Sequence, residues 1–279
     1  LLCENISRMF KNLFIILLFS ILQNSHQFER IINGIPVAID DVPAQASLYR
    51  RSSFICGAVL IGRRTAITAA HCVVEWVIYL LNPQAPPLLR IIFLFHISSS
   101  VQYSPSELTI HYNSSDIESL SRVSVIRVEI FPAYSEVTLN FDLAIMTLES
   151  SVYVPYAELP ELDKQILPGK PVAAVGWGIT ELGGTSPKLL MTSLVTITFD
   201  DCKQSNPNWV ITENMFCAIG TESTTCRGDS GSGIYSVDGG KPDKLIGLVS
   251  WGDKSCQTSP TKPGGFVDLT NTHLRRWMS

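Results

Sequence analysis

The chain has 279 residues, 46% of them hydrophobic, with 21 basic and 25 acidic side chains for a net charge of −4. That much apolar material can bury a large core, which excludes a disordered chain, and the 18 glycines and 16 prolines lack the period of collagen. Mild acidity without a lysine/arginine cluster leaves nothing to neutralise a row of phosphates, so nucleic-acid binding is disfavoured.

The length suits two domains or one large all-β unit. Residues 1–8 precede the first methionine, Met9, and read as upstream sequence. From Met9 the chain runs through Lys11, an apolar stretch over 13–22 and then polar residues, which is the layout of a secretory signal peptide. The stretch falls short of the roughly 20 apolar residues a membrane span needs, and a short buried helix is the plainer alternative. Ser25 could be the small residue before the cut, though no A-x-A pattern is present. Export would place the chain where disulfides persist. With Cys3 set aside, Cys56, Cys72, Cys202, Cys217, Cys226 and Cys256 form an even set without the close pairs of a zinc site, and spacing alone leaves fifteen pairings open.

Short β-branched segments then follow one another between Gly, Pro, Asn and Asp turns: 56–62, 65–70, 107–112, 122–131, 143–148, 170–178, 192–199, 232–237 and 244–252. Such spacing without helical patterns between predicts a sandwich or barrel. Only the end, 269–278, reads as helix, with Leu274 and Trp277 on one face. The stretch 74–100 does not fit: its apolar middle is broken by Asn82, prolines and Arg90, so it is neither a membrane helix nor a patterned strand.

Three strings carry chemistry: TAAHC with His71, NFDLAIMTL with Asp142, and CRGDSGSG with Ser230. Each alone has a bland reading, as a structural histidine, a turn aspartate and a surface loop. Together they supply what a serine nucleophile needs, a base to take its proton and a carboxylate to fix the base's tautomer.

These strings, their order, Ile31-Ile32-Asn33-Gly34 after Arg30, Gly176-Trp177-Gly178 and Ser250-Trp251-Gly252 make the chain resemble the trypsin/chymotrypsin family of serine endopeptidases over nearly all of residues 31–279. The resemblance implies two six-stranded antiparallel β-barrels with a short C-terminal helix. After a leader at 1–30, the first barrel would span about 31–155 and the second about 156–268. It implies His71 as base, Asp142 as its orienter, Ser230 as nucleophile, and an oxyanion hole from the N–H groups of Gly228 and Ser230. Cleavage after Arg30 would free an Ile31 ammonium to pair with Asp229. The implied disulfides are Cys56–Cys72, Cys202–Cys217 and Cys226–Cys256. A further family bridge would need cysteines at about Val172 and Ser236, and both are absent together.

By the same resemblance Thr224 stands at the base of the specificity pocket, with Ser250, Trp251, Gly252 and Gly264 around it. With no acid at Thr224, the pocket is expected to prefer Phe, Tyr or Leu, although Asp253 beside Ser255 could tolerate basic residues. After GDSG the family continues Gly-Pro, where this chain has Ser232 and Gly233. Excising 74–100 restores an ordinary join, so that stretch reads as a translated intron, with an exposed apolar loop as the alternative. Asn113 heads a glycosylation acceptor. His26, His96, His111 and His273 read as structural, and Asp116 with Glu118 is a thin basis for a calcium loop. No cofactor or metal is expected. Expected partners are peptide substrates, an activating protease and protein inhibitors, for a secreted monomer with no transmembrane segment once the signal is removed. A non-catalytic binding protein on the same scaffold is the rival reading.

Overall fold

The computed structural model describes residues 34–78, 98–162, 164–180, 184–220, 222–253, 256 and 262–279. Strands β2 (Gln45–Arg50), β3 (Ser53–Gly62), β4 (Thr65–Thr68), β7 (Leu108–Tyr112), β8 (Ser121–Ile130) and β9 (Ala144–Leu148) close into an antiparallel barrel in the order β2-β3-β4-β9-β8-β7. Alternation turns one face of each strand inward. In β9, Ala144, Met146 and Leu148 are buried, and in β7 Leu108 and Ile110. Strand β8 breaks the alternation: at a register shift between Val125 and Arg127, two successive residues, Ile126 and Arg127, are exposed before Val128 returns to the core.

The second barrel comprises β10 (Pro171–Gly176), β11 (Leu190–Thr196), β12 (Met215–Ile219), β13 (Gly233–Asp238), β14 (Lys241–Trp251) and β15 (Gly264–Asp268). Pairing of β11 with β12 closes the ring, and β1 (Ile35–Pro36) adds to the edge of β11. Two six-stranded barrels are therefore present, as expected from the resemblance.

Helix α2 (Thr272–Met278) starts later than predicted because the Asn271 carboxamide accepts the N–H groups of His273 and Leu274 and fixes the N-terminus there. Leu274 is buried and Trp277 meets Phe131 edge-on at 5.2 Å, tying the helix to the first barrel. A further helix, α1 (Phe199–Ser205), was not expected; it overlaps the strand-like segment 192–199 only at Phe199. The Thr198 hydroxyl accepts the Asp201 N–H at 3.1 Å and starts it.

The three disulfides pair Cys56–Cys72, Cys202–Cys217 and Cys226–Cys256. Val172 and Ser236 are direct cross-strand partners, so the positions of the missing bridge do lie side by side.

The two ends of the irregular stretch are strands after all. β5 (Val74–Ile78) pairs with β6 (Ser98–Gln102), and residues 79–97 lie outside the described residues. At the root of this hairpin the Tyr103 N–H donates to the Val73 carbonyl at 2.9 Å, so the chain returns to where it left. Cross-strand pairing, which no local pattern in the serine-rich 98–102 announces, makes the strands.

Ser232, the departure after GDSG, is fully buried, and among the described residues its hydroxyl has no hydrogen-bond partner. An unsatisfied buried hydroxyl costs stability. Ser232→Ala is expected to stabilise the protein by about 1 kcal/mol, read as a higher urea midpoint at unchanged slope. A fall in the midpoint would mean that the hydroxyl is satisfied in solution.

Candidate active site

His71 sits in a tight turn at Ala70–Val73 directly after β4, anchored by the Cys56–Cys72 bridge. Asp142 precedes β9 in a second tight turn, where the Leu143 N–H reaches back to the Phe141 carbonyl at 2.8 Å and Phe141 takes a left-handed φ of 54°. That costly backbone holds a carboxylate that is 1% exposed. The His71 backbone N–H donates to Asp142 Oδ1 at 2.9 Å, and ring Nδ1 meets Oδ2 at 2.7 Å. Because a carboxylate only accepts, Nδ1 carries the proton and Nε2 is left as the basic nitrogen. The Ser250 hydroxyl, named in sequence only for the pocket edge, donates to the same Oδ2 at 2.6 Å. Burial lowers the His71 pKa, but the charge and hydrogen bond of Asp142 outweigh it and hold the imidazole above its ordinary value.

Ser230 lies between the barrels, half-buried. Its carbonyl accepts the Gly57 N–H of β3 at 2.8 Å, while the next residue, Gly231, donates to Val249 of β14 at 2.8 Å. Gly228 and Gly231 have φ of 92° and 76°, which side chains disfavour. A Cβ on Gly231 would also stand 2.1 Å from Thr68 Oγ1 and 3.0 Å from the Ala69 nitrogen. The serine turn is thus packed on the segment leading into His71. Among the described residues no hydrogen bond joins the Ser230 hydroxyl to the imidazole, a contact that often tightens only with substrate. Among them, too, neither the Gly228 nor the Ser230 N–H has an acceptor.

Asp229 is buried beneath this turn, its two oxygens accepting the N–H groups of Gly178 and Cys226 at 2.9 Å each. Burial pushes its pKa up to about 6, with those two amides pulling the other way. Gly178 must be glycine here, since a Cβ would lie 2.5 Å from the carboxylate.

A cavity of about 110 Å³ beside Ser230 is lined by Thr225, Arg227, Ser250, Trp251, Gly252 and Asp253, among others. Of the expected pocket residues, Ser250, Trp251 and Gly252 line it. Thr224 is half-buried and Gly264 is buried in β15 opposite Ala218, and neither lines it. Thr225 and Arg227 were not anticipated, although they flank Cys226 in the serine string. Asp253 does reach the cavity, but Lys262 pairs with it at 2.9 Å and offsets the charge that was expected to tolerate basic residues. Trp251 is held by stacking on Trp209, with centroids 4.7 Å apart.

Arg30, Ile31, Ser255, His26 and His96 lie outside the described residues. His111 is buried and stacked on Tyr49 at 3.8 Å, a structural role. Asp116 is paired with Lys188 at 2.7 Å. Cys56, His71 and Cys72 bring potential metal-ligand atoms within 4.8 Å of one another, but both sulfurs are committed to a disulfide.

The sequence profile of the family described as Trypsin matches residues 31–278. A protein named trypsin from Phaedon cochleariae is 30% identical over 259 residues, covering 89% of this chain and 87% of its own length. The vitellin-degrading protease of Bombyx mori is 28% identical, with coverages of 89% and 84%. Transmembrane protease serine 11C of Mus musculus is 29% identical over 91% of this chain, which spans about half, 54%, of that longer protein. With these matches and the two-barrel fold, the chain belongs to the trypsin family and is a serine endopeptidase.

Proposed function

We propose that the chain is a secreted endopeptidase, made as an inactive precursor, in which His71, Asp142 and Ser230 form the catalytic triad. His71 Nε2 takes the Ser230 proton as Oγ attacks the scissile carbonyl. The resulting oxyanion accepts hydrogen bonds from the Gly228 and Ser230 N–H groups, and His71 then gives its proton to the leaving amine. Water, deprotonated by His71, releases the acyl group from Ser230. The observation that carries this reading is the buried Asp142, which grips His71 by both backbone and ring and leaves Nε2 basic.

Activation by cleavage after Arg30 rests on Asp229. A buried carboxylate met by two amides would be held ionised by an incoming Ile31 ammonium, and the pair would order the serine turn. Secretion rests on the leader and the three disulfides; no helix among the described residues is long and apolar enough to cross a membrane. The protease unit would begin at Ile31, with barrels meeting near 155, and act as a monomer open to protein inhibitors. Asn113, exposed at a left-handed φ of 68°, is accessible for glycosylation.

The slot next to Ser230 would take an apolar or aromatic side chain, since among the described lining residues the one carboxylate, Asp253, is paired with Lys262. Peptides with Phe, Leu, Ala or Arg before the scissile bond, offered to the oxidatively folded, Arg30-cleaved chain, test this. Phe or Leu is expected to lead, and an Arg preference would overturn the specificity.

The raised His71 pKa fixes the acid limb. Only neutral imidazole is a base, so kcat/KM should fall as pH drops through a value above the ordinary 6.5 of histidine. In Asp142→Asn the limb should move to lower pH, because the charge that favours imidazolium is gone. An unmoved limb would show that another group titrates.

A further inference from the structure

A groove of about 460 Å³ opens on the second barrel and shares no lining residue with the cavity at Ser230. Its floor is apolar: Val172 and Ile246 are buried, and Ile166 is half-buried. Leu167, 51% exposed, stands at the lip. Among the described residues Lys164, Lys170 and Lys244 line it against one carboxylate, Asp243, so the described lining is positive on a chain of net charge −4. Among the described residues none of these three lysines enters an ion pair.

The walls are fixed rather than loose. Buried Thr196 donates to the Leu167 carbonyl at 2.7 Å and accepts the Lys170 N–H at 2.9 Å, which holds the 167–170 turn. Across the groove, Ser236 accepts the Lys244 N–H at 3.0 Å and sets the β13–β14 hairpin. Preformed walls spare a ligand the entropy of ordering them.

We propose that this groove docks a partner protein through an extended acidic segment bearing one bulky apolar side chain. That side chain would cover Val172, Ile246 and Leu167, and flanking carboxylates would pair with Lys164, Lys170 and Lys244. A free phosphate would leave the apolar floor unused. A membrane surface would meet the lysine rim with the apolar floor recessed behind it.

The test uses the oxidatively folded, Arg30-cleaved chain with Ser230→Ala, so that the probe survives, and a fluorescein-labelled Gly-Asp-Glu-Phe-Glu-Asp-Gly peptide followed by anisotropy. Saturable binding is expected, weakening with salt as exposed charges are screened. Asn/Gln replacement of the acids, Phe to Ala, or Lys164→Glu with Lys244→Glu should each weaken it by about tenfold or more. Lys203→Glu on α1 should change nothing, and thermal unfolding checks that each variant folds. No saturation up to about 1 mM, a range covering weak encounters, would overturn the proposal. So would equal weakening by Lys203→Glu, or lysine-dependent binding to phosphatidylserine vesicles but not to the peptide.

Discussion

Ser230→Ala is expected to lower kcat by about 10⁴- to 10⁶-fold while KM changes little, because the hydroxyl is the atom that becomes acylated. The fold should be untouched. Ser230 is tied to the barrels through its carbonyl and its neighbours' backbone, so trimming Oγ removes no hydrogen bond that holds the turn. Residual hydrolysis would come from the Gly228 and Ser230 N–H groups, which the substitution leaves in place. Asp142→Asn should cost about 10⁴-fold by permitting the wrong imidazole tautomer. The double variant should be no worse than Ser230→Ala alone, since residues acting as a unit are not additive. Burst kinetics with an active ester measure all three, and a burst retained in Ser230→Ala would refute the assignment.

The second large effect is on activation. An Arg30→Gln chain exposed to an arginine-cutting protease is expected to stay uncut and essentially inactive, whereas the natural chain gains activity as Ile31 is freed. Losing one partner of a buried ion pair typically costs about 3–5 kcal/mol, so the uncut chain should lag the cut one by at least about a hundredfold. Asp229→Asn should imitate the uncut chain even after cleavage, because the amide offers no charge to the ammonium. Activity rates and N-terminal sequencing of both proteins decide the matter. Full activity from uncut Arg30→Gln would sink the precursor reading.

What the sequence disclosed followed from how local each cause was. Strands rich in β-branched residues, such as Arg122 to Ile130 and Lys244 to Trp251, announced themselves. Gln45–Arg50, Met215–Ile219 and Gly264–Asp268 did not, because their residues have modest strand propensity and are strands through barrel pairing. Helix α1 begins only at Phe199, the last residue of the strand-like segment 192–199, and its start rests on the Thr198 side chain accepting the Asp201 N–H. His71, Asp142 and Ser230 were legible because each stands in its own short string. The Ser250 to Asp142 hydrogen bond, spanning 108 positions, and the Gly57 to Ser230 bond between barrels have no sequence signature. The lysine groove was equally hidden, since its walls are assembled from distant stretches. Pocket residues transferred by resemblance fared unevenly for a related reason: Gly264 is determined by strand packing, and only the cavity reveals Thr225 and Arg227 beside Trp251.

The most direct test of the account is covalent labelling of the folded, Arg30-cleaved chain with a fluorophosphonate probe, the modified residue being located by peptide mass. One probe per chain on Ser230 is predicted, at a rate that falls at pH values acid enough to protonate His71. Label on another residue, or none on protein that is folded and cleaved, would contradict it.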